Sequence, residues 1–333
     1  MPGQGKAEAV REILFGPVAE ELAEVEERIR RGVRSRIDLV SEVSAYVLQG
    51  GGKRVRPVLL LLAAKMCGCR DTARSVELAV VAEYMHVATL IHDDIVDNAD
   101  TRRGQASANA RFGAHVSVLA GDFLYAYSIG RLVENGDFQV LKGFCDATMT
   151  MTEGEILEAK LRWSPDIQFD EYLTVITCKT AALFSAACRA GALVSEMDST
   201  RVEALAEFGL NLGIGFQLVD DALDFSARKE ILGKPVGQDL REGRITYPLI
   251  YVLRRDASPG RDRIRSLMER KELTAADVAL IHQYVVAGGG VEATLGEANA
   301  YLTKAKGHLD HFPPSPAKRS LMLMADFIAE RQW

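Results

Sequence analysis

The 333-residue chain has five cysteines, Cys67, Cys69, Cys145, Cys178 and Cys188. So sparse and odd a set excludes a disulfide framework and points to a reducing compartment. Cys67 and Cys69 have no second close cysteine pair to complete a zinc site. Net positive charge is also missing: a formal balance of -6 removes the basic field that non-specific nucleic-acid binding draws on. No uninterrupted apolar run reaches the roughly 18 residues needed to cross a bilayer. The start, "MPGQGKAEAVREILFG", lacks the charged-then-apolar order of a secretory signal. These absences lead to the expectation of a soluble, cytoplasmic protein with no nucleic-acid partner and no transmembrane segment. There is also no low-complexity tract, short repeat or linker, so residues 1–333 are read as one domain.

What is present is helical periodicity. Ile13, Val18, Leu22 and Val25 recur at steps of three to five, and "GGKRVRPVLLLLAAKM" restarts a helix near Pro57, a residue suited to a first helical turn. From Asp71 to Asp97 there is neither glycine nor proline, which predicts one long helix. Further helices are expected at about 114–134, 138–160, 168–191, 198–225, 240–254, 261–271, 288–307 and 316–331. Period-two alternation is short and scattered, so the predicted class is all-α, a helical bundle around a central apolar cavity.

Two of these helices carry the same acidic pattern. "IHDDIVD" places Asp93, Asp94 and Asp97 near the end of the first long helix, and "FQLVDDALDF" repeats Asp-Asp-x-x-Asp at Asp220, Asp221 and Asp224. On a helix the first and last aspartates of each run, four residues or about one turn apart, are neighbours about 5–6 Å apart. Their mutual repulsion strengthens as water is removed, and both runs sit among apolar residues. A bland reading, solvated helix faces or caps, accounts for one such cluster better than for two of matching spacing. Hard divalent cations suit the pattern, because Mg²⁺ takes carboxylate, phosphate and water oxygens.

Basic residues accompany the acids. "GGKRVRP" supplies Lys53, Arg54 and Arg56 just before a helix, "TRRG" supplies Arg102 and Arg103, "CKTAA" supplies Lys179 and Thr180, and "ILGKPVGQDLREGR" supplies Lys234. Any one of the exposed cations is accounted for by solvation. Lys179 is different, since an ammonium on an apolar helix needs a negative partner. His86 suits a phosphate hydrogen bond or an ordinary core position, and no zinc-ligand spacing accompanies it. Together the acidic helices and basic loops describe a cavity for more than one phosphate group.

These stretches, with "SVLAGDFL" and "GQDL" in the same order, resemble the trans-type polyprenyl diphosphate synthases over roughly residues 45 to 250. The resemblance implies that Asp93, Asp94, Asp97, Asp220, Asp221 and Asp224 hold Mg²⁺, three ions with the allylic diphosphate bound. It gives Arg102, Lys179 and Lys234 to that diphosphate. Gly52, Lys53, Arg56, His86 and Arg103 go to isopentenyl diphosphate, and Thr180 and Gln217 to the reaction centre. Asp239 would assist the second metal cluster, and Arg244 stands where many relatives have lysine. A homodimer is implied as well.

Product length is expected to be read along the first acidic helix. Ala88 and Thr89 lie five and four residues before Asp93, and Met85 one turn further. Small side chains at this level resemble the long-chain subgroup, octaprenyl to decaprenyl (roughly C40–C50), which supplies quinone side chains. Close helix packing at Ala88 is the alternative. Leu124, Tyr125, Ile129 or a partner helix would supply the floor. Rival functions are a short-chain farnesyl or geranylgeranyl synthase, a class I terpene cyclase and a non-catalytic isoprenoid-binding subunit.

Overall fold

A computed structural model describes residues 13–226, 237–255 and 259–330 of the chain. The fold is all-α, as the periodicity predicts. Its helices are α1 (Ala19–Arg31), α2 (Asp38–Gln49), α3 (Val55–Met66), α4 (Thr72–Val96), α5 (Ala108–Phe112), α6 (Ala114–Asn135), α7 (Phe138–Leu161), α8 (Phe169–Ile176), α9 (Ala182–Leu193), α10 (Ser199–Asp224), α11 (Gln238–Arg241), α12 (Tyr247–Arg255), α13 (Pro259–Glu269), α14 (Ala275–Ala287), α15 (Gly290–His308) and α16 (Pro316–Ala329). The chain divides into two compact units. One comprises Met1–Thr148, Leu183–Gly209 and Leu309–Leu323, the other Met149–Ala182, Leu210–His308 and Met324–Trp333.

In the first unit α4 packs against α3 and α6. The Asp71 carboxylate caps α4 by accepting from the Arg74 backbone N–H at 3.0 Å. The absence of glycine and proline then lets the helix run for 25 residues. Leu78 to Met85 are buried in succession, so α4 is a core helix with no solvent face over that stretch. Val58 to Ala64 of α3 are likewise buried, and each fully buried leucine there contributes about 1.5–3 kcal/mol. The loop entering α3 is pinned by Arg54, whose backbone is left-handed (φ 50°). Its guanidinium donates to Glu83 at 2.7 Å and Glu26 at 2.8 Å. After α4, the strands β1 (Thr101–Arg102) and β2 (Gln105–Ala106) form a minimal hairpin, with Arg103 and Gly104 both at positive φ in the turn.

In the second unit α12 packs on α15 and α14. Phe169 and Tyr172 of α8 gather with Tyr247 of α12, ring centroids 4.5 and 6.0 Å from it. Between α8 and α9 residues Thr177–Ala181 form a π turn. Gly154 of α7 lies against that turn, and a Cβ there would come within 2.6 Å of the Cys178 Cβ. The close approach therefore requires glycine.

The five cysteines are free, in keeping with the sequence reading. Among the described residues three helices, Ala114–Asn135, the run Phe169–Leu193 and Ser199–Asp224, are long and apolar enough to cross a bilayer by length and composition. In the last of them 72% of the apolar window is buried within the protein, so that apolarity serves packing; in the first the share is 33%.

Candidate active site

The last turn of α4 carries the first acidic cluster. Asp93 and Asp97 are half-exposed, while Asp94 is 3% exposed. The hairpin turns the chain back so that Arg102 Nε meets Asp94 Oδ1 at 2.6 Å. Arg102, assigned from the sequence to a diphosphate, thus holds a carboxylate here. The left-handed Asn98 and a bond from the Ala99 N–H to the Asp94 carbonyl (2.8 Å) shape the intervening loop. His92 belongs to packing: it stacks on Tyr125, and Gly121 leaves room for its ring.

The same unit assembles a cation-rich patch. Gly52 lies beneath the Arg103 guanidinium, which would sit 2.9 Å from a Cβ at that position. Lys53 is exposed on the same loop. Arg56 lies over the Phe184 ring, 5.0 Å from its centroid. Burial pushes Arg56 down to about 10, and Arg103 adds to the effect while Glu83 opposes it. Burial, then Arg56, Arg103, Arg102 and Arg54, hold His86 well below the ordinary histidine range, so its ring is neutral. Among the described residues, Arg56 Nε and His86 Nδ1 are buried without hydrogen-bond partners. The imidazole is neutral and Arg56 Nε lacks a partner among these arginines, an arrangement whose open donor an anion could satisfy.

On the same helix Ala88 and Met85 are 0% and 1% exposed, and the Thr89 hydroxyl donates to the His86 carbonyl at 2.7 Å. Leu124 is buried, Tyr125 half-buried and Ile129 exposed.

The second unit places Thr180, Gln217 and Asp221 in one hydrogen-bonded line. The Thr180 hydroxyl donates to Gln217 Oε1 at 2.8 Å, and Gln217 Nε2 donates to Asp221 Oδ1 at 2.8 Å. Tyr172, a residue the sequence reading did not single out, donates its hydroxyl to Asp221 Oδ2 at 2.5 Å. Burial raises Asp221 well above the usual carboxylate range, with Asp239 and Asp220 adding to it and the Tyr172 and Gln217 bonds opposing. Burial and Asp239 push Asp224 up to about 6, and its Oδ2 is buried without a partner among the described residues. Asp220 is exposed.

Lys179, on the π turn, meets the negative partner its burial demands, and it is a protein partner. Its ammonium lies 2.6 Å from Glu158 and 2.9 Å from Glu155. Arg244 adds a second cation 3.7 Å from Glu158 and contacts Asp239 and Glu242. Neither glutamate was distinguishable in "EGEILEAK" from an ordinary polar helix face. Lys234 lies outside the described residues.

The acidic groups offer only hard oxygen donors, and they are crowded beyond what neutral solvation favours, so they fit a hard divalent cation. Among the described residues no three His, Cys, Asp or Glu side chains converge as a closed cage. Mg²⁺ is commonly held by one or two carboxylates with phosphate and water completing the shell, and the donor set here is of that oxygen-only kind.

The polyprenyl synthetase family pattern matches residues 37–285. The chain is 35% identical to octaprenyl diphosphate synthase of Escherichia coli, over 94% of this chain and 96% of that one. It is 33% identical to the geranyl-diphosphate-specific all-trans-nonaprenyl-diphosphate synthase of Rhodobacter capsulatus, over 96% and 97% respectively. The crystal structure of a polyprenyl synthase from Caulobacter crescentus, complexed with calcium and isoprenyl diphosphate, superposes with a TM-score of 0.91 at 35% identity, covering 97% of this chain and 98% of that one. With that match spanning both acidic helices and both basic loops, the chain belongs to the polyprenyl synthetase family and is a prenyltransferase.

Proposed function

We propose that this prenyltransferase is a long-chain trans-polyprenyl diphosphate synthase, with residues 1–333 acting as one domain. It condenses isopentenyl diphosphate head to tail onto an allylic diphosphate. The observation that carries the reading is like charge crowded with opposite sign in the two units: arginines around a neutral His86 in one, with Arg56 Nε and His86 Nδ1 lacking hydrogen-bond partners, and carboxylates raised above their usual range in the other. A diphosphate would suit the first set and magnesium the second.

Bound magnesium, three ions in this proposal, would neutralise the departing diphosphate and so favour ionisation of the allylic C–O bond. Asp93, Asp94, Asp97, Asp220, Asp221 and Asp224 would hold it. Lys179 would exchange Glu155 and Glu158 for phosphate oxygens, with Arg102 and Lys234 on the same diphosphate. Gly52, Lys53, Arg56, His86 and Arg103 would orient isopentenyl diphosphate by its own diphosphate. Its double bond then attacks the allylic carbon, a C–C bond forms, and loss of a proton restores an allylic diphosphate five carbons longer. Thr180 and Gln217 would face the reacting carbons, and fixed donors in place of water protect the cation from capture.

Products of octaprenyl to decaprenyl length (roughly C40–C50), for quinone side chains, are proposed on two grounds. The side chains at Ala88 and Thr89 are small, with Met85 below them, and the octaprenyl and nonaprenyl synthases named above are similar over nearly the whole chain. Exposed Leu119 and Val133 on α6, with Phe138 beyond it, support a homodimer. The working location proposed is the cytoplasm, with product passed to membrane.

Isopentenyl diphosphate, a farnesyl or geranylgeranyl primer and Mg²⁺ incubated with the purified chain, followed by mass spectrometry, tests reaction and length together. An octaprenyl-to-decaprenyl ladder is expected. A cyclised hydrocarbon with isopentenyl diphosphate unused, or no product, overturns the reading, and a ladder ending at geranylgeranyl overturns its length.

A further inference from the structure

Asp221 has both carboxylate oxygens engaged by neutral protein donors, and the two donors are anchored differently. Gln217, on Oδ1, is held by the Thr180 hydroxyl of the π turn. Tyr172, on Oδ2, is held by its ring, which is 3% exposed and packs beside the Phe169 and Tyr247 rings with centroids 6.3 and 6.0 Å away. The charged groups that act most strongly on Asp221 are the carboxylates of Asp239 and Asp220. Nothing in that set attracts the carboxylate, so its orientation depends on the two hydrogen bonds. An ionised carboxylate has about four lone-pair directions. Two are used here, and the remaining two are aimed by the same bonds that occupy the first pair.

We infer that Tyr172 is a positioning residue for the acidic face of α10: its hydroxyl fixes the plane of the Asp221 carboxylate, so that magnesium diphosphate meets an oriented group and not a freely turning one. This rests on the proposed role of Asp220, Asp221 and Asp224 as metal-binding carboxylates. Tyr172 touches neither substrate nor metal in this scheme. Groups that orient metal-binding side chains typically carry about 10–100-fold of metal affinity when mutated, and that is the scale expected here.

The test is equilibrium dialysis of radiolabelled inorganic diphosphate against the full-length protein over a range of Mg²⁺ concentrations. Wild type is compared with Tyr172→Phe, Phe169→Leu and Asp220→Ala, and each variant's thermal unfolding is recorded by circular dichroism. Phe keeps the ring and its packing and removes one hydroxyl. The expected result is a 10–100-fold higher Mg²⁺ requirement for Tyr172→Phe, with melting close to wild type. Phe169→Leu, which disturbs the aromatic cluster but not the hydrogen bond, should keep the wild-type Mg²⁺ curve at a lower melting temperature. An unchanged curve for Tyr172→Phe overturns the inference. So does a Phe169→Leu curve shifted equally, which would make the role one of packing, and so does loss of helical signal in Tyr172→Phe, which would make the bond a folding requirement. Asp220→Ala separates the two levels. If it binds diphosphate as wild type does, the metal-binding reading itself has failed; if it does not and Tyr172→Phe does, only the positioning role has.

Discussion

In the first unit a base is made to give up its proton more readily, and in the second unit acids are made to hold theirs more tightly. His86 is held neutral by burial and by Arg56, Arg103, Arg102 and Arg54, whereas Asp221 and Asp224 are raised by burial and by Asp239. The second aspartate of each acidic run sharpens the contrast. Asp94 and Asp221 are both nearly inaccessible, at 3% and 4% exposed, but Asp94 is met by the Arg102 cation and Asp221 by a phenol and an amide. Stability alone accounts poorly for either arrangement, because charges of one sign gathered in a buried place cost free energy until a counter-ion arrives. Under the proposed function, the difference is that one unit would be prepared for an anion and the other for cations.

The strongest way to break that comparison is to remove a carboxylate from each side. Asp93→Ala and Asp220→Ala should each lower kcat/KM at least about a thousandfold, several kcal/mol of transition-state stabilisation. Both side chains are at least partly exposed, so folding should survive. Product formation near the wild-type rate in either variant, measured with isopentenyl diphosphate and an allylic primer, would sink the assignment.

Glu83 is the next lever, because it is the buried acid within the arginine patch: 2% exposed, bonded to Arg54, and a stabilising charge for Arg56 and Arg103. Glu83→Gln should cost about 3–5 kcal/mol in urea unfolding, the usual penalty for orphaning a buried partner. If the patch is built for an anion, inorganic diphosphate should recover more stability in this variant than in wild type. Equal recovery in both proteins would argue that the patch is structural.

Much of this was legible in the sequence, and the boundary of legibility has physical causes. The helices over 71–97 and 198–225 were readable almost to the residue, Thr72–Val96 and Ser199–Asp224 in the structure, because periodicity and the absence of proline are local properties. The expected helix 168–191 is interrupted by a π turn that packs closely against Gly154 of another helix, a contact distant in sequence. Helix α14 (Ala275–Ala287) was not anticipated, since its apolar residues show no single face. Its one local signal is the capping box of Thr274 and Asp277. At the site, residue types announced metal and phosphate chemistry, but pairing did not show: "TRRG" read as two phosphate cations, while the hairpin commits Arg102 to Asp94. Tyr172 had no signal of its own, because a tyrosine seven residues before Lys179 on an apolar helix reads as core.

The proposed chain-length role falls on the first unit alone, and Ala88→Phe isolates it. Ala88 lies on α4 below Asp93 and is fully buried. A phenyl ring there should shorten the product ladder and cost about 1–3 kcal/mol through overpacking. Mass spectrometry reads the first effect and thermal unfolding the second. Lower stability with an unchanged ladder would reduce Ala88 to a helix-packing position.

The smallest expected effect concerns the proton that His86 lacks. Its folded pKa lies below the ordinary value of 6.5, so the unfolded chain takes up a proton that the folded protein refuses. The stabilising contribution of the neutral ring is therefore fully present above pH 6.5 and is lost as pH falls from there toward the folded value, by up to about 1.4 kcal/mol per pH unit. The difference between wild type and His86→Asn is the informative quantity. Urea unfolding at pH 7.5, 6.5 and 5.5 should show a steeper loss in wild type. Inorganic diphosphate should flatten that loss, because an anion among Arg56, Arg102 and Arg103 relieves the repulsion that keeps the ring neutral. Identical slopes in the two proteins would mean that the arginines do not govern His86, and the first unit would then lose its claim to be the half that waits for an anion.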